Sequence, residues 1–165
     1  MKHFFAIILL ATIALGCQKA GGCSPEKFEY TFQTDKQIDT VQFQAYQGMP
    51  KDFAYAINNG NSSVFLFRDI YENCPDRTDG GNEAHIVFQI PSAGTGFRIE
   101  DSTALQQANA MLYRICGECP SQRGSFFKSG FIEGEKINES TWNIRASLTS
   151  SSSIKFEFAA LFRKN

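Results

Sequence analysis

From Lys27 onward the chain is built of short runs in which apolar and polar residues alternate. KFEYTFQT, residues 27–34, sets Phe28, Tyr30 and Phe32 on one side against Lys27, Glu29, Thr31 and Gln33 on the other. A period of two in β-forming residues predicts a strand with one face in a core. IDTVQFQAY (38–46), DFAYAIN (52–58) and SVFLFRDI (63–70) repeat the theme, separated by the turn-rich QGMP and NGNS. After the loop ENCPDRTDGGNE, AHIVFQI (84–90) resumes strand character, and PSAGTG forms the next loop. In AHIVFQI, Ala84, Ile86, Phe88 and Ile90 make the apolar row. His85, Val87 and Gln89 share the opposite face, so His85 is expected to point to solvent.

One stretch breaks the alternation. DSTALQQANAMLYR, residues 101–114, lacks Gly and Pro, and Leu105, Ala108, Leu112 and Ile115 recur at helical spacing. Asp101 or Ser102 can cap its start. The pattern predicts a helix over about residues 102–114 that delivers the chain into Cys116. The last third returns to strands: GSFFKSGFIEG, STWNIRASL and SIKFEFAALF. Trp142, Ile144, Ala146 and Leu148 share one face, as do Ile154, Phe156, Phe158, Ala160 and Phe162, with the serines 150–153 as the connecting loop. This predicts a three-stranded antiparallel meander with one wet face. The fold class expected is mainly β, an antiparallel sandwich or barrel-like domain with one α-helix packed across it.

The first residues read differently. MKHFFAIILLATIALGC places Lys2 before an apolar run, residues 4–15, broken only by Thr12. Twelve helical residues span roughly 18 Å, short of the roughly 30 Å hydrocarbon core, so the run reads as a signal peptide rather than a membrane span. QKAGGCSPEK follows, small and polar, and reads as a flexible tether. The organisation expected is a signal peptide over 1–16, a tether over 17–26 and one β-rich domain over 27–165. Without the signal roughly 150 residues remain, enough for a sizeable core.

Composition narrows the function classes. The net charge is −1 at pH 7 and no basic run occurs, so nucleic-acid binding lacks its electrostatic footprint, as does a polybasic membrane patch. The 16 phenylalanines read as core before they read as a ligand platform. His85 is the one histidine left after signal removal, and no nucleophile elbow accompanies it. The loop DRTDGGNE has oxygen ligands but not EF-hand spacing, because Gly80 falls where a liganding side chain belongs. No cofactor motif is present.

Five cysteines remain to be placed. With Cys17 at the end of the signal, Cys23, Cys74, Cys116 and Cys119 form an even set in an exported, oxidising setting. ICGECP, residues 115–120, suits a structural disulfide, half of a zinc site or a redox pair. Redox sites place C-x-x-C at a helix N-terminus, where the dipole stabilises a thiolate; here the predicted helix precedes Cys116. Zinc needs two more ligands, and Cys23, Cys74 and His85 have no second-knuckle spacing. Disulfides therefore come first, metal second and redox third. The pairing expected is Cys116–Cys119 as a local clasp and Cys23–Cys74 tying the tether to the sheet.

Ala14-Leu15-Gly16-Cys17 resembles the lipobox of bacterial lipoproteins, which implies lipidation of Cys17. The ending GFIEGEKINESTW with its final alternating strand resembles those of small Gram-negative envelope lipoproteins. Together these imply a membrane-anchored envelope protein, expected on the periplasmic side of the outer membrane. The function expected is non-catalytic binding of a partner protein, glycan or small apolar ligand. The alternative is a thiol-redox or zinc-binding protein using Cys116 and Cys119.

Overall fold

The computed structural model describes residues 27–43, 52–71, 82–116 and 123–165. Nine strands and one short helix follow in order: β1 Lys27–Phe43, β2 Asp52–Asn59, β3 Ser62–Tyr71, β4 Asn82–Pro91, β5 Gly96–Glu100, α1 Ser102–Gln107, β6 Met111–Cys116, β7 Arg123–Asn138, β8 Thr141–Ser150 and β9 Lys155–Lys164. The pairings β1–β3, β3–β4, β4–β6, β6–β7, β7–β8 and β8–β9 are antiparallel, and a short parallel contact between β1 and β9 closes the circuit. The mainly β, barrel-like expectation holds.

The interior is packed with rings. Phe65 stacks on Phe88 at 5.0 Å and on Phe32 at 5.4 Å, and meets Trp142 edge-on at 5.6 Å and Phe162 at 5.8 Å. Ile86, Ile132, Ile144, Leu148 and Phe127 complete this core. The β7–β8–β9 meander lies where the alternation put it: Trp142, Ile144, Ala146 and Leu148 are all buried in the barrel.

Two long strands bend so that each serves two neighbours. In β1 the register with β3 shifts between Gln33 and Lys36, and Asp35 takes φ 57°. Beyond that bulge, residues 36–43 leave β3 and pair with β2. The resulting ribbon lies over the outer face of β3, β4 and β6, where Ile38, Val64, Val87 and Met111 form a second core against Tyr55, Ile57, Leu66 and Phe126. The edge of the ribbon is capped by side chains: Ile38 N–H donates to Gln89 Oε1 at 2.6 Å, and Asn109 Nδ2 donates to the Ile38 carbonyl at 3.3 Å. In β7 the bend falls near Gly130, at φ 123°, next to a register shift between Phe127 and Ser129. Its first part pairs with β6 and touches β2 at Gly124; its second part pairs with β8 and with β5.

Two expectations are corrected. The helix runs over six residues, not about 102–114. Asp101 caps it as expected, accepting from the Thr103 and Ala104 N–H groups at 2.9 Å. Asn109, at φ 49°, then turns the chain out of the helix, a conformation Asn tolerates better than most residues. Met111–Cys116 becomes a strand hydrogen-bonded on both edges, and two rows of ladder bonds outweigh the helical propensity of AMLYR. His85, expected in solvent, is 8% exposed. The ribbon of β1 and β2 covers the face it occupies, so β4 is buried on both sides.

Candidate functional site

Because the rings fill the barrel, the outer surface is where a ligand can be met. One wall is covered by the β1–β2 ribbon, and its polar groups are paired among themselves. Tyr55 O–H donates to His85 Nδ1 at 2.7 Å, and His85 Nε2–H donates to Glu83 Oε2 at 2.8 Å. Arg68 then bridges Glu83, at 2.9 Å, and Glu29, at 2.7 Å. The His85 hydrogen bond and the Arg68 guanidinium hold the Glu83 carboxyl below its ordinary range, while burial pushes the Tyr55 phenol up to about 12. The Glu29 carboxyl is lowered mainly by its hydrogen bond from Lys27. This chain of partners pins the covering ribbon. His85, the only histidine among the described residues, has both ring nitrogens engaged in it.

The opposite wall is open. Register aligns its outward residues in rows across four strands: Arg98, Glu133, Arg145 and Ala159 in one, and Gly96, Glu135, Asn143 and Leu161 in the next. Glu133 sits between two cations: Oε1 accepts from Arg145 Nε at 2.8 Å, and Oε2 accepts from Arg98 Nη1. Arg98 also makes a forked pair with Glu100, at 3.0 and 3.2 Å, which raises the guanidinium and lowers the carboxyl. Below this row the Phe131 ring lies 5.1 Å from the Arg98 guanidinium and 5.7 Å from that of Arg145, within cation–π range.

An open groove of about 540 Å³ lies on this wall, floored by Phe97, Gly134 and Ala159 and rimmed by Arg98, Glu133, Glu135, Asn143 and Arg145. Alternation turns Gly134 inward between Glu133 and Glu135; a Cβ there would lie 2.4 Å from Cε1 of Phe97, so glycine lets that ring pack under β7 beside Phe65 and Trp142. The groove offers carboxylate, amide and guanidinium groups in fixed orientation around a small apolar floor. That set suits recognition of a polar surface. The Arg98–Glu133–Arg145 row could have been suspected from the wet faces of the meander, but the partner strand of β5 was not readable.

The cysteines divide. Cys17, Cys23, Cys74 and Cys119, and with them the lipidation and disulfide expectations, lie outside the described residues. Cys116 ends β6, opposite Asn82; Asn82 is in turn opposite Tyr71, and Lys27 is opposite Ile70. The strand ends leading toward Cys23, Cys74 and Cys119 therefore leave the barrel at the end that carries Cys116. The argument that a preceding helix disfavours a Cys116 thiolate falls, because Cys116 follows a strand. Among the described residues no three metal-ligating side chains converge. No protein-family model matches the chain, and no curated protein or solved structure does.

Proposed function

We propose that the chain is a non-catalytic, lipid-anchored module of a bacterial cell envelope that binds a partner through the outer wall of β5, β7, β8 and β9. The observation that supports this reading is the filled interior. With Phe65 in contact with Phe32, Phe88, Trp142 and Phe162, a carrier's internal cavity is replaced by packed rings, and recognition moves to the surface. The groove supplies such a surface, while the polar groups of the other wall are consumed in holding the ribbon. Lipidation at Cys17 would leave about ten residues of tether, which span at most roughly 35 Å, between the membrane and Lys27.

The test places a photo-crosslinking amino acid at position 143 in the full chain, in cells. A discrete adduct that is lost with Arg145→Glu supports the reading. Diffuse labelling unaffected by that change removes it. Labelled palmitate incorporated by the native chain but not by Cys17→Ser tests the anchor.

A second reading, a thiol-redox or zinc-binding protein centred on Cys116 and Cys119, draws on the place of Cys116 at the same barrel end as Lys27 and Tyr71, the described residues nearest in sequence to Cys23 and Cys74. Intact mass of the soluble chain beginning after Cys17 separates the two. A mass lighter by about four hydrogens means two disulfides; full thiol mass with retained zinc means a metal site.

A further inference from the structure

The barrel is closed unevenly. β1 and β3 share register along most of the first half of β1, and β8 and β9 along nearly their whole length. β1 and β9 share it only at Thr31↔Arg163 and Phe32↔Lys164, with the Asn165 N–H donating to the Phe32 carbonyl at 3.0 Å. Both strands run the same way, and the contact falls at the end of β9 but near the start of β1, so no ladder joins the earlier part of β9 to the described residues of β1 before Thr31. There the wall is closed from inside by rings: Tyr30 lies 6.2 Å from Phe158 and 5.4 Å from Phe162, and Phe67 lies 5.2 Å from Phe158.

The direction of the backbone groups follows from two hydrogen bonds. Ser150 N–H donates to the Ile154 carbonyl, and Lys164 N–H to the Ser140 carbonyl, in one continuous β8–β9 register. Hydrogen-bonded pairs alternate along an antiparallel ladder, so the even-numbered residues of β9 bond to β8. The odd-numbered residues turn their N–H and C=O groups away from it. Lys155, Glu157, Ala159 and Leu161 thus present four donor–acceptor pairs that have no strand partner among the described residues.

Edge strands are normally blunted by proline, a bulge, shortness or charged side chains. KFEFAAL, residues 155–161, carries charge at Lys155 and Glu157, but it has no proline, keeps an unbroken register with β8, and ends on Ala159, Ala160 and a Leu161 that is 48% exposed. The same edge bounds the groove, since Ala159 ends the row that begins at Arg98.

We propose that the free edge of β9 accepts an extended segment of a partner protein as an added strand, with the segment's outward side chains lying beside the groove. This rests on the reading of the domain as a binding module and names the form of its partner. The occupant is set by the row of backbone groups. Donor–acceptor pairs repeating every two residues, about 6.8 Å, are matched throughout by another strand. An apolar chain laid there would bury them unsatisfied.

The probe is a synthetic peptide with the sequence of residues 27–34, KFEYTFQT, whose native copy already meets β9 at Thr31 and Phe32. It is added to isotope-labelled soluble chain beginning after Cys17, and amide exchange is followed by NMR. In the free protein the amides of Glu157, Ala159 and Leu161 should exchange at least tenfold faster than those of Phe156, Phe158 and Ala160. With millimolar peptide they should slow at least tenfold.

Ala159→Pro removes an N–H that points away from β8, so the fold stays while peptide binding falls at least tenfold. Odd-numbered amides already protected in the free protein, no response to peptide, or equal binding by Ala159→Pro would each overturn the proposal. If these fail while crosslinks at position 143 persist, the binding reading stands and strand addition does not. If crosslinks fail while the amides respond, the groove is the part in error.

Discussion

Gly130→Ala should be among the most damaging single-methyl additions to this chain. The residue sits at φ 123°, a region only glycine enters without strain. It lies at the bulge where β7 turns from β6 toward β8. A Cβ built there meets the Ser147 carbonyl oxygen at 2.1 Å, Leu148 Cα at 2.8 Å and the Ser147 carbonyl carbon at 3.0 Å. All three are backbone atoms, so no side-chain rotation relieves the overlap. Backbone strain alone costs about 1–3 kcal/mol. Moving β8 away by an ångström weakens one or two ladder bonds, at about 1 kcal/mol each. The total, roughly 2–5 kcal/mol, is a large fraction of the 5–15 kcal/mol typical of a domain.

Urea unfolding of the soluble chain reads this directly. With a slope near 2 kcal/mol per molar, the midpoint should fall by roughly 1–2.5 M. Gly134→Ala is the control. The three atoms nearest its Cβ all belong to the Phe97 ring, the first at 2.4 Å, a side chain on a five-residue edge strand that can give way. That change should cost less, about 1–2 kcal/mol. A midpoint within 0.5 M of native for Gly130→Ala, to order of magnitude below one ladder bond, would refute the assignment of the bend to this residue. So would a Gly134→Ala effect larger than the Gly130→Ala one.

Three further outcomes follow from the packing and the paired charges. Phe65→Ala removes the ring in contact with Phe32, Phe88, Trp142 and Phe162 and should lose about 3–5 kcal/mol, whereas Phe65→Leu, which keeps most of the apolar volume, should lose less; equal losses would count against a cost dominated by the cavity. Burial raises the Tyr55 phenol from 10.0 to about 12, so the folded chain keeps a proton that the unfolded chain releases. Stability should therefore fall as pH rises from 10 to 12, by roughly 2–3 kcal/mol at most, and a Tyr55→Phe chain should show a shallower decline in denaturant titrations across that window. Glu83 is held below its ordinary 4.5 by His85 and Arg68, so its contribution is present above that value and is lost as pH falls through the lower folded one. Glu83→Gln should flatten the acid limb of the stability curve; an unchanged limb would show that the network carries no linkage.

What was legible in the sequence depended on how many faces of each strand are wet. β8 and β9 have one wet face, and their alternation carried through: Trp142, Ile144, Ala146 and Leu148 inward, Asn143 and Arg145 outward. β3, β4 and β6 lie between the ring core and the covering ribbon, so consecutive residues are buried, as at Ile86-Val87-Phe88 and Ala110 to Tyr113. Strands buried on both faces lose the period of two. That loss placed His85 in solvent and let the Leu105–Ala108–Leu112 spacing pass for a long helix. The groove was less legible still, because Arg98, Glu133 and Arg145 meet through the pairing of β5 with β7, a matter of register between distant segments.

The same asymmetry bears on function. A chain that folds part of β1 and all of β2 over one wall has apolar surface and five charged or polar groups, Tyr55, His85, Glu83, Arg68 and Glu29, committed to that cover. The opposite wall has no comparable layer among the described residues, and its charges are arranged in rows that leave a groove over Gly134 and Ala159. The weakest closure of the circuit, two residue pairs between β1 and β9, lies at the edge of that uncovered wall. A barrel needing only to be stable gains by sealing this joint, since each added ladder bond contributes about 1 kcal/mol. Leaving β9 regular, free of proline and, among the described residues, paired only on its β8 side from Lys155 to Leu161 forgoes that stability at the place where a partner strand would supply it.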